Sequence, residues 1–316
     1  MLSNDLLNAI KAIKGDGVLL SDKDLDDASL DVLIDTLNKL PNIHQLDLSF
    51  NNITYVGAIK LLTKLQYIQV LNLQSNNISF ANKPLNLENC RLKELDISAN
   101  CIGDSVVAFS TVTSLEKLNA SECNVTDEGA QALFKSKSIK ELDLTTNEIN
   151  GASLEELSTN HTLQILYLAQ NSLLADNLNY LLENNTLTFL DLTSTLIGDK
   201  GAEHLSKNTK LKELFLSQCF IGDDGAKFLS IHPTLEKLIL SHNNITEVGK
   251  KALNDSNSLV HINLSDNHCS KNLTFLDSII SKRKTATVTG SLDYCRSSIS
   301  SSGISSDDDI PHPKPG

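Results

Sequence analysis

The sequence is poor in aromatic and arginine residues. Its 316 residues include no tryptophan and one methionine, aromatic residues make up 4%, and arginine occurs only at positions 91, 283 and 296. Acidic residues outnumber basic ones, 39 against 27, for a formal net charge of −12. The clustered Lys and Arg that bind phosphates are absent, so we expect no direct nucleic-acid binding. This charge favours solubility and a basic partner.

Signals for membranes, disulfides and catalysis are also absent. No hydrophobic run reaches the length of a membrane span, and no secretory signal follows Met1, so no membrane association is predicted. The six cysteines form no CxxC pair, which favours reduced thiols and a cytoplasmic site of action. There is no Gly-rich phosphate loop, HExxH motif or unexplained Ser, His and Asp arrangement. We therefore predict a non-enzymatic protein with no catalytic residues, no cofactor and no metal site.

What the sequence does contain is a repeated unit of 24 residues, clearest at 187–210 and 211–234. Both copies have Leu at positions 1, 4 and 6, Thr or Cys at position 9, Ile at position 11, and Gly-Ala at positions 15 and 16. A fixed period of this length indicates a solenoid of stacked units. Position 1 recurs ten times at spacings of 23 to 25 residues, at Ile43, Ile68, Leu92, Leu115, Ile139, Leu163, Leu187, Leu211, Leu235 and Leu259.

The first half of each unit predicts a short strand. Apolar residues alternate with polar ones, which is the pattern of a strand with one buried face, and stacked units would form a parallel sheet. Position 9 is Asn in seven of the ten units, and Cys123, Thr195 and Cys219 occupy it in the others. A buried Asn needs hydrogen-bond partners, so we expect a ladder of Asn side chains bonded to backbone groups of adjacent turns.

The second half of the unit predicts a helix. In the Gly-Ala-x-x-Leu segments, Ala and Leu share one helical face, and the small Ala allows close approach to the sheet. Thr126 with Asp127, and the aspartates of Gly-Asp-Asp-Gly at 222–225, are expected to supply N-cap oxygens.

Two repeats depart from the regular unit. Pro84 lies in the second half of the repeat from Ile68 and predicts an irregular loop there, because proline interrupts a helix interior. The repeat from Leu163 lacks Gly-Ala, but Leu178, Leu181 and Leu182 still permit a helix. Further helices are predicted at 2–14, 30–40 and 273–280, the last closing the solenoid.

This pattern resembles the leucine-rich-repeat family, and the Gly-Ala unit looks like the GALA-type subclass of bacterial effectors, a shorter relative of the ribonuclease-inhibitor type. The resemblance covers roughly residues 18–282. It implies a curved α/β solenoid with strands on the concave side and helices on the convex side. It does not imply a particular partner, because repeat scaffolds serve many functions. The expected organisation is a helical cap at 1–17, a degenerate first repeat plus ten repeats at 18–282, and a tail at 283–316.

The tail has a composition of its own. Residues 297–306 hold seven serines, and Asp307, Asp308 and Asp309 follow. With few large apolar residues, this segment is expected to be disordered. It is either a solvated end or an export signal, since it is similar to the polar C-terminal tails of type IV secretion substrates. The second alternative implies delivery from a bacterium into host cytoplasm.

The outward positions 3 and 5 of the strands indicate a binding surface. They are mainly polar and acidic in the first repeats, whereas large apolar residues gather from Leu163 onward. Such residues crowd an exposed face when a partner covers them; single exposed apolar residues and self-association are the alternatives. The predicted partner-binding residues are Ile165, Tyr167, Phe189, Asp191, Phe215, Ile239, His242, Asp143, Glu141 and Asp96.

The leading interpretation is a monomeric protein-protein interaction module that binds a host protein, with its acidic residues attracting a basic target. A substrate adaptor for a ubiquitin ligase is a second class, but an F-box or ligase domain is not found in the sequence. A regulator resembling ribonuclease inhibitor or a GTPase-activating repeat protein is a third, although those relatives have longer units.

Overall fold

A single parallel sheet organises the described part of the chain. The computed structural model describes residues 4–80 and 85–269. Within them, eleven three-residue strands follow one another in sequence order across the sheet, and every pairing is parallel. The predicted α/β solenoid is confirmed. The strands are β1 (Gly17–Leu19), β2 (Gln45–Asp47), β3 (Val70–Asn72), β4 (Glu94–Asp96), β5 (Lys117–Asn119), β6 (Glu141–Asp143), β7 (Ile165–Tyr167), β8 (Phe189–Asp191), β9 (Glu213–Phe215), β10 (Lys237–Ile239) and β11 (His261–Asn263).

The middle residue of each strand points into the core. Leu190, for example, pairs in register with Leu166 and Leu214, and all three are fully buried. Burial of each leucine contributes roughly 1.5–3 kcal/mol. Because side chains alternate along a strand, positions 3 and 5 of every unit point to the opposite face. We call this outer surface the strand face.

Helices occupy the second half of most units. The described residues contain seven α-helices and three 3₁₀ helices, Gly103–Thr111, Ala152–Ser158 and Ala175–Leu182. The last of these is the helix predicted in the repeat from Leu163, with Leu178 and Leu181 buried. The α-helices are α1 (Asn4–Lys11), α2 (Asp27–Leu37), α3 (Tyr55–Lys64), α4 (Asp127–Phe134), α5 (Gly198–Ser206), α6 (Asp223–Ser230) and α7 (Glu247–Asn254). They include α1 and α2, which correspond to the helices predicted at 2–14 and 30–40: α1 ends three residues before the predicted end, and α2 begins and ends three residues before its predicted bounds.

The type of helix in a unit correlates with the residue at position 15. In the described units that follow β2 to β10, glycine at this position accompanies an α-helix, as at Gly129 in α4 and Gly225 in α6. Val106, Ser153 and Asn177 accompany the 3₁₀ helices. A Cβ at Gly225 would lie 2.6 Å from Asp199 Oδ1 and 2.7 Å from Ile221 Cγ2. Glycine therefore allows the α-helix to approach the preceding unit.

Aspartate at position 13 caps the helix of the next unit, which corrects the predicted role of Gly-Asp-Asp-Gly. The N-cap residue of α6 is Gly222, without a side-chain cap bond of its own. Its backbone N–H and that of Gly225 donate to Asp199 of the preceding unit, at 2.7 and 3.0 Å. Asp223 in turn accepts from the backbone N–H groups of Thr246 and Gly249 in the following unit. The predicted N-cap at Thr126 is confirmed, with Glu128 N donating to its hydroxyl.

The predicted Asn ladder at position 9 is confirmed. Asn243 is buried, and its Oδ1 accepts from the backbone N–H of Cys219 and of Ile221, each at 3.0 Å. Its Nδ2 donates to the carbonyls of Leu216, Leu240 and Ser241. Cys219 is a free thiol that donates to the Leu192 carbonyl at 3.0 Å, so it fills the position with fewer bonds than Asn.

A second ladder, absent from the sequence-based expectations, lies at position 22. Asn208 accepts from the backbone N–H of Lys210 and Leu211, and donates to the Leu181 carbonyl of the preceding unit at 2.7 Å. Asn160 and Asn184 make the same pattern of bonds. The ladder satisfies the backbone where each unit turns back into the sheet.

His232 interrupts this second ladder. Its Nδ1 accepts from the backbone N–H of Thr234 and Leu235 at 3.3 and 3.1 Å, while the buried Nε2 has no hydrogen-bond partner. Since Nδ1 accepts, the proton lies on Nε2, and an N–H is left unsatisfied inside the protein. Burial lowers the pKa of His232 to about 4.

We expect His232→Asn to stabilise the protein by about 1 kcal/mol, because Nδ2 would donate to the preceding unit as Asn208 does. The wild type should lose unfolding free energy as the pH falls from about 6.5 towards about 4, since only the unfolded histidine takes up a proton there. The variant should lose that part of the pH dependence. Urea titrations across this pH range measure both effects. The reverse exchange, Asn208→His, should destabilise; a stabilising result there would contradict the explanation.

Several predictions fall outside the described residues. These are Pro84, the closing helix at 273–280 and the tail at 283–316. Residues 85–91, the described remainder of the proline-containing segment, contain no helix. In the described ranges, no helix has the length and apolar character needed to cross a bilayer.

Candidate protein-binding surface

Five apolar side chains form a continuous strip on the strand face. We call Ile165, Tyr167, Phe189, Phe215 and Ile239 the aromatic strip; they lie on β7 to β10. The ring centroids of Tyr167 and Phe189 are 4.8 Å apart, and those of Phe189 and Phe215 are 5.1 Å apart. The sequence predicts these residues as exposed, and each proves to be partly buried because its neighbours pack against it. The structure therefore brings the five together as one surface.

The end of the strip carries a cation. Lys237 Nζ lies 4.9 Å from the centroid of the Phe215 ring and 3.1 Å from a carboxylate oxygen of Glu213. An ammonium over a ring face is attracted by the electron density of the ring, an effect worth about 0.5–1 kcal/mol at exposed sites. The aromatic strip thus has an ion pair, Lys237 with Glu213, next to its apolar side chains.

The acidic residues at position 5 have a structural role besides the predicted one. Asp143 Oδ1 accepts from the backbone N–H of Thr145 at 2.8 Å, which forms a turn that ends the strand. Asp96 makes the same bond to Ser98 at 2.9 Å, and the Asn119 amide donates to its other oxygen. Seven position-5 residues make this turn, namely Asp47, Asn72, Asp96, Asn119, Asp143, Asp191 and Asn263.

Tyr167, Phe215 and Ile239 are the position-5 residues of β2 to β11 that cannot form this turn. Each has a side chain without the acceptor that Asp or Asn supplies to the backbone N–H two residues on. A bond of this type contributes about 1 kcal/mol. Large apolar groups at these three positions therefore forgo this bond, and the fold itself does not require them, since Asp or Asn fits the same place.

The carboxylates on either side of Tyr167 are desolvated. Burial raises the pKa of Asp143 and of Asp191 above the usual range, and the bonds from Thr145 and Thr193 oppose the shift. Glu141 is paired with Lys117 at 3.2 Å. A nearby cation stabilises the charged form of a desolvated carboxylate, and a binding partner can supply such a cation.

His242 lies at the edge of the sheet, where the strands end. It occupies position 8, and its Nε2 is 3.4 Å from Asp266 Oδ2 in the next unit. The backbone of His242 has a φ of 56°, and position 8 has a positive φ in all ten units from Phe50 to Asp266. This left-handed residue turns the chain out of the sheet before the Asn ladder.

Leu196 and Phe220 belong to the same edge and were missed by the sequence reasoning. They occupy position 10 of adjacent units and are 71% and 62% exposed. A shallow depression between them is also lined by Ser194, Gln218, His242 and Asn244. The signal was present, since position 10 is otherwise Asn, Cys, Glu, Ser or His. Phe220 also has a φ of 60°, a strained value for a bulky residue that Asn124 shares at the equivalent position.

The described residues hold no group of three His, Cys, Asp or Glu side chains arranged to bind a metal. His242 and Asp266 form only a pair. The side chains on the strand face and its edge can make apolar contacts, bind cations and form hydrogen bonds.

Comparison with known proteins assigns the family. A family model described as a leucine-rich repeat matches seven segments that together cover half of the chain: 39–62, 88–105, 113–134, 135–158, 183–206, 207–230 and 232–253. The chain therefore belongs to the leucine-rich-repeat family. Proteins with these repeats serve as protein-protein interaction modules, and the chain is such a module by class. A search of curated protein sequences finds no significant match.

Solved structures share the fold. An internalin, InlF from Listeria monocytogenes, is 19% identical, with 92% of this chain and 90% of that chain covered and a TM-score of 0.51. A TDR receptor is 17% identical with a TM-score of 0.51, and the alignment covers 81% of this chain but 44% of the receptor's. At these identities the likeness concerns the fold alone.

Proposed function

We propose that the aromatic strip, with Asp143 and Asp191 beside Tyr167 and with Leu196, Phe220 and His242 at its edge, is the docking site for a protein partner. The observation that carries this proposal is the replacement of the turn-forming Asp or Asn by Tyr167, Phe215 and Ile239. These side chains give up a backbone hydrogen bond and leave apolar area on an outer face. A partner that covers the strip recovers this cost.

The composition of the site fits a binding surface. Aromatic residues are enriched at the centres of protein interfaces, and polar residues surround them. Tyr167, Phe189 and Phe215 form such a centre, and Asp96, Glu141 and Asp143 lie on the strands to one side. Their charge favours a partner with a basic surface, since complementary charge accelerates encounter.

We further propose that the partner is a protein of a eukaryotic host and that the chain acts there as a bacterial effector. The support is the similarity of its Gly-Ala repeat to GALA-type effectors and of its Ser-rich tail to type IV secretion substrates. A translocation assay with and without residues 296–316 tests this part. Undiminished transfer of the shortened protein would refute the export role of the tail.

The docking site is tested with Tyr167→Asn and Phe215→Asn, separately and together. Asn restores the turn that Asn72 and Asn119 make in the same column, so the fold should be retained or stabilised. Affinity capture from eukaryotic lysate identifies proteins that the wild type retains, and each is then purified and its Kd measured. We expect each substitution to weaken binding by about tenfold or more, as for aromatic residues at interface centres.

The matched control is Asp47→Asn, which retains the same turn on β2 and lies outside the strip. It should bind like the wild type. If purified partners bind the double variant as tightly as the wild type, the strip is not the docking site. Thermal unfolding of all variants separates lost contacts from lost folding.

A further inference from the structure

Asp191 is the acidic residue that lies between the aromatic positions of the strip. At position 5 of β8, it is in register with Tyr167 on β7 and with Phe215 on β9. Phe189 lies two residues earlier on the same face of β8. The Phe189 ring packs against those of Tyr167 and Phe215, with centroid separations of 4.8 and 5.1 Å, so an aromatic residue lies on each neighbouring strand and on the strand of Asp191 itself.

The carboxylate of Asp191 is bonded within its own chain only by neutral groups of Thr193. It accepts from the backbone N–H of Thr193 at 2.8 Å and from the side chain of the same residue. The ion pairs of the strand face join Lys117 to Glu141 and Lys237 to Glu213, and neither includes Asp191. Burial disfavours the charged form and raises the pKa of this group. A desolvated carboxylate beside aromatic faces gains most from an added cation.

The chain itself provides an example one strand further on. There the ammonium of Lys237 is held by the Glu213 carboxylate at 3.1 Å and lies over the Phe215 ring at 4.9 Å. A carboxylate together with an aromatic ring on this face therefore binds a cationic side chain. Asp191 also has aromatic residues beside it, with Tyr167 and Phe215 in register on the neighbouring strands and Phe189 on its own strand.

We infer that Asp191, framed by Tyr167, Phe189 and Phe215, is a pocket for a cationic side chain, an arginine or lysine, that the protein partner inserts. This inference rests on the proposed function, and it specifies one group of the partner, the cationic side chain that contacts Asp191. The cation would pair with the Asp191 carboxylate, which the neutral groups of Thr193 do not neutralise, while its flat or apolar part would lie against the rings.

Two small probes test the pocket on the full-length protein without a partner. Nα-acetyl-arginine methylamide carries the guanidinium, and the citrulline analogue is its neutral isostere. Protein labelled with ¹³C on Tyr and Phe rings and Asp carboxyls is titrated with each, and NMR shifts are followed. We expect the arginine probe to shift Asp191 and the three rings, with the citrulline probe binding at least about tenfold more weakly, a difference of about 1.4 kcal/mol.

Asp191→Asn removes the charge and retains the turn, as Asn72 and Asn263 show in the same column. We expect this variant to lose the preference for arginine over citrulline, whereas Asp47→Asn should keep it. Equal binding of the two probes to the wild type, or an unchanged preference in Asp191→Asn, would overturn the pocket.

A partner found by affinity capture distinguishes the two proposals. If Tyr167→Asn with Phe215→Asn abolishes its binding while Asp191→Asn leaves the Kd unchanged, the docking site stands and the cation pocket is wrong. If none of the three substitutions changes the Kd, the docking site itself is wrong. A Kd weakened about tenfold or more by Asp191→Asn supports both.

Discussion

Asn243→Ala should lower the free energy of unfolding by about 4 kcal/mol, the largest effect we expect for a single substitution in this chain. The side chain is buried, and it satisfies two backbone N–H groups and three carbonyls. Each N–H left unsatisfied costs roughly 1–3 kcal/mol. Chemical denaturation followed by circular dichroism measures the change.

Two further variants make this test specific. Asn244→Ala removes the exposed side chain of the next residue, so it should stay within about 0.5 kcal/mol of the wild type. The loss of unfolding free energy in Asn243→Thr should lie between those of Asn243→Ala and Asn244→Ala. A hydroxyl at this position can donate to a carbonyl, as Thr195 does to Leu192. Hydrogen exchange at the amides of Cys219 and Ile221 should accelerate in Asn243→Ala. Equal losses for Asn243→Ala and Asn244→Ala would contradict the ladder's role.

Gly225→Ala should destabilise the protein by about 3 kcal/mol, although alanine is the better helix former by about 1 kcal/mol. The new Cβ would lie 2.6 Å from Asp199 Oδ1 and 2.7 Å from Ile221 Cγ2. The carboxylate would have to move, and with it the bonds to Gly222 and Gly225 that cap α6. Thermal and urea unfolding measure the loss.

A double-mutant cycle with Asp199→Ala isolates the cause. Asp199→Ala alone should destabilise by about 1–2 kcal/mol because it uncaps α6. In the double variant the Cβ no longer meets the carboxylate, so the combined loss should be smaller than the sum of the two single losses. Additive losses, or a Gly225→Ala variant as stable as the wild type, would show that the carboxylate is not what the glycine accommodates.

The sequence predicts those features that recur in nearly every unit. Strands and the Asn ladder follow from the alternation of apolar residues and from a buried amide that needs partners, as at Asn243. Positions of the strip residues follow from the same alternation, because positions 3 and 5 necessarily lie on the outer face. Whether Tyr167 and Phe215 bind a partner stays a prediction.

Features that join different units could not be read from a single unit. Asp223 precedes Gly225 in the chain, so it looks like the cap of its own helix, whereas its partners Thr246 and Gly249 are 23 and 26 residues away. The position-22 ladder has Asn in only some of the units, so the repeat pattern of the sequence indicates it only weakly. Phe220 lies five residues after the end of β9, so the alternation of strand residues does not indicate it.

The two kinds of side-chain bond between units run in opposite directions along the chain. Asp199 supports the helix that follows it, whereas Asn243 satisfies the backbone of the unit before it. The units that begin at Leu211 and Leu235 therefore support each other: Asp223 caps the helix of the second, and Asn243 satisfies the backbone of the first. Such an arrangement favours changes in length by 24 residues: a copy of residues 223–246 brings its own aspartate, glycine and asparagine in register, whereas an insertion of another length breaks both sets of bonds at once.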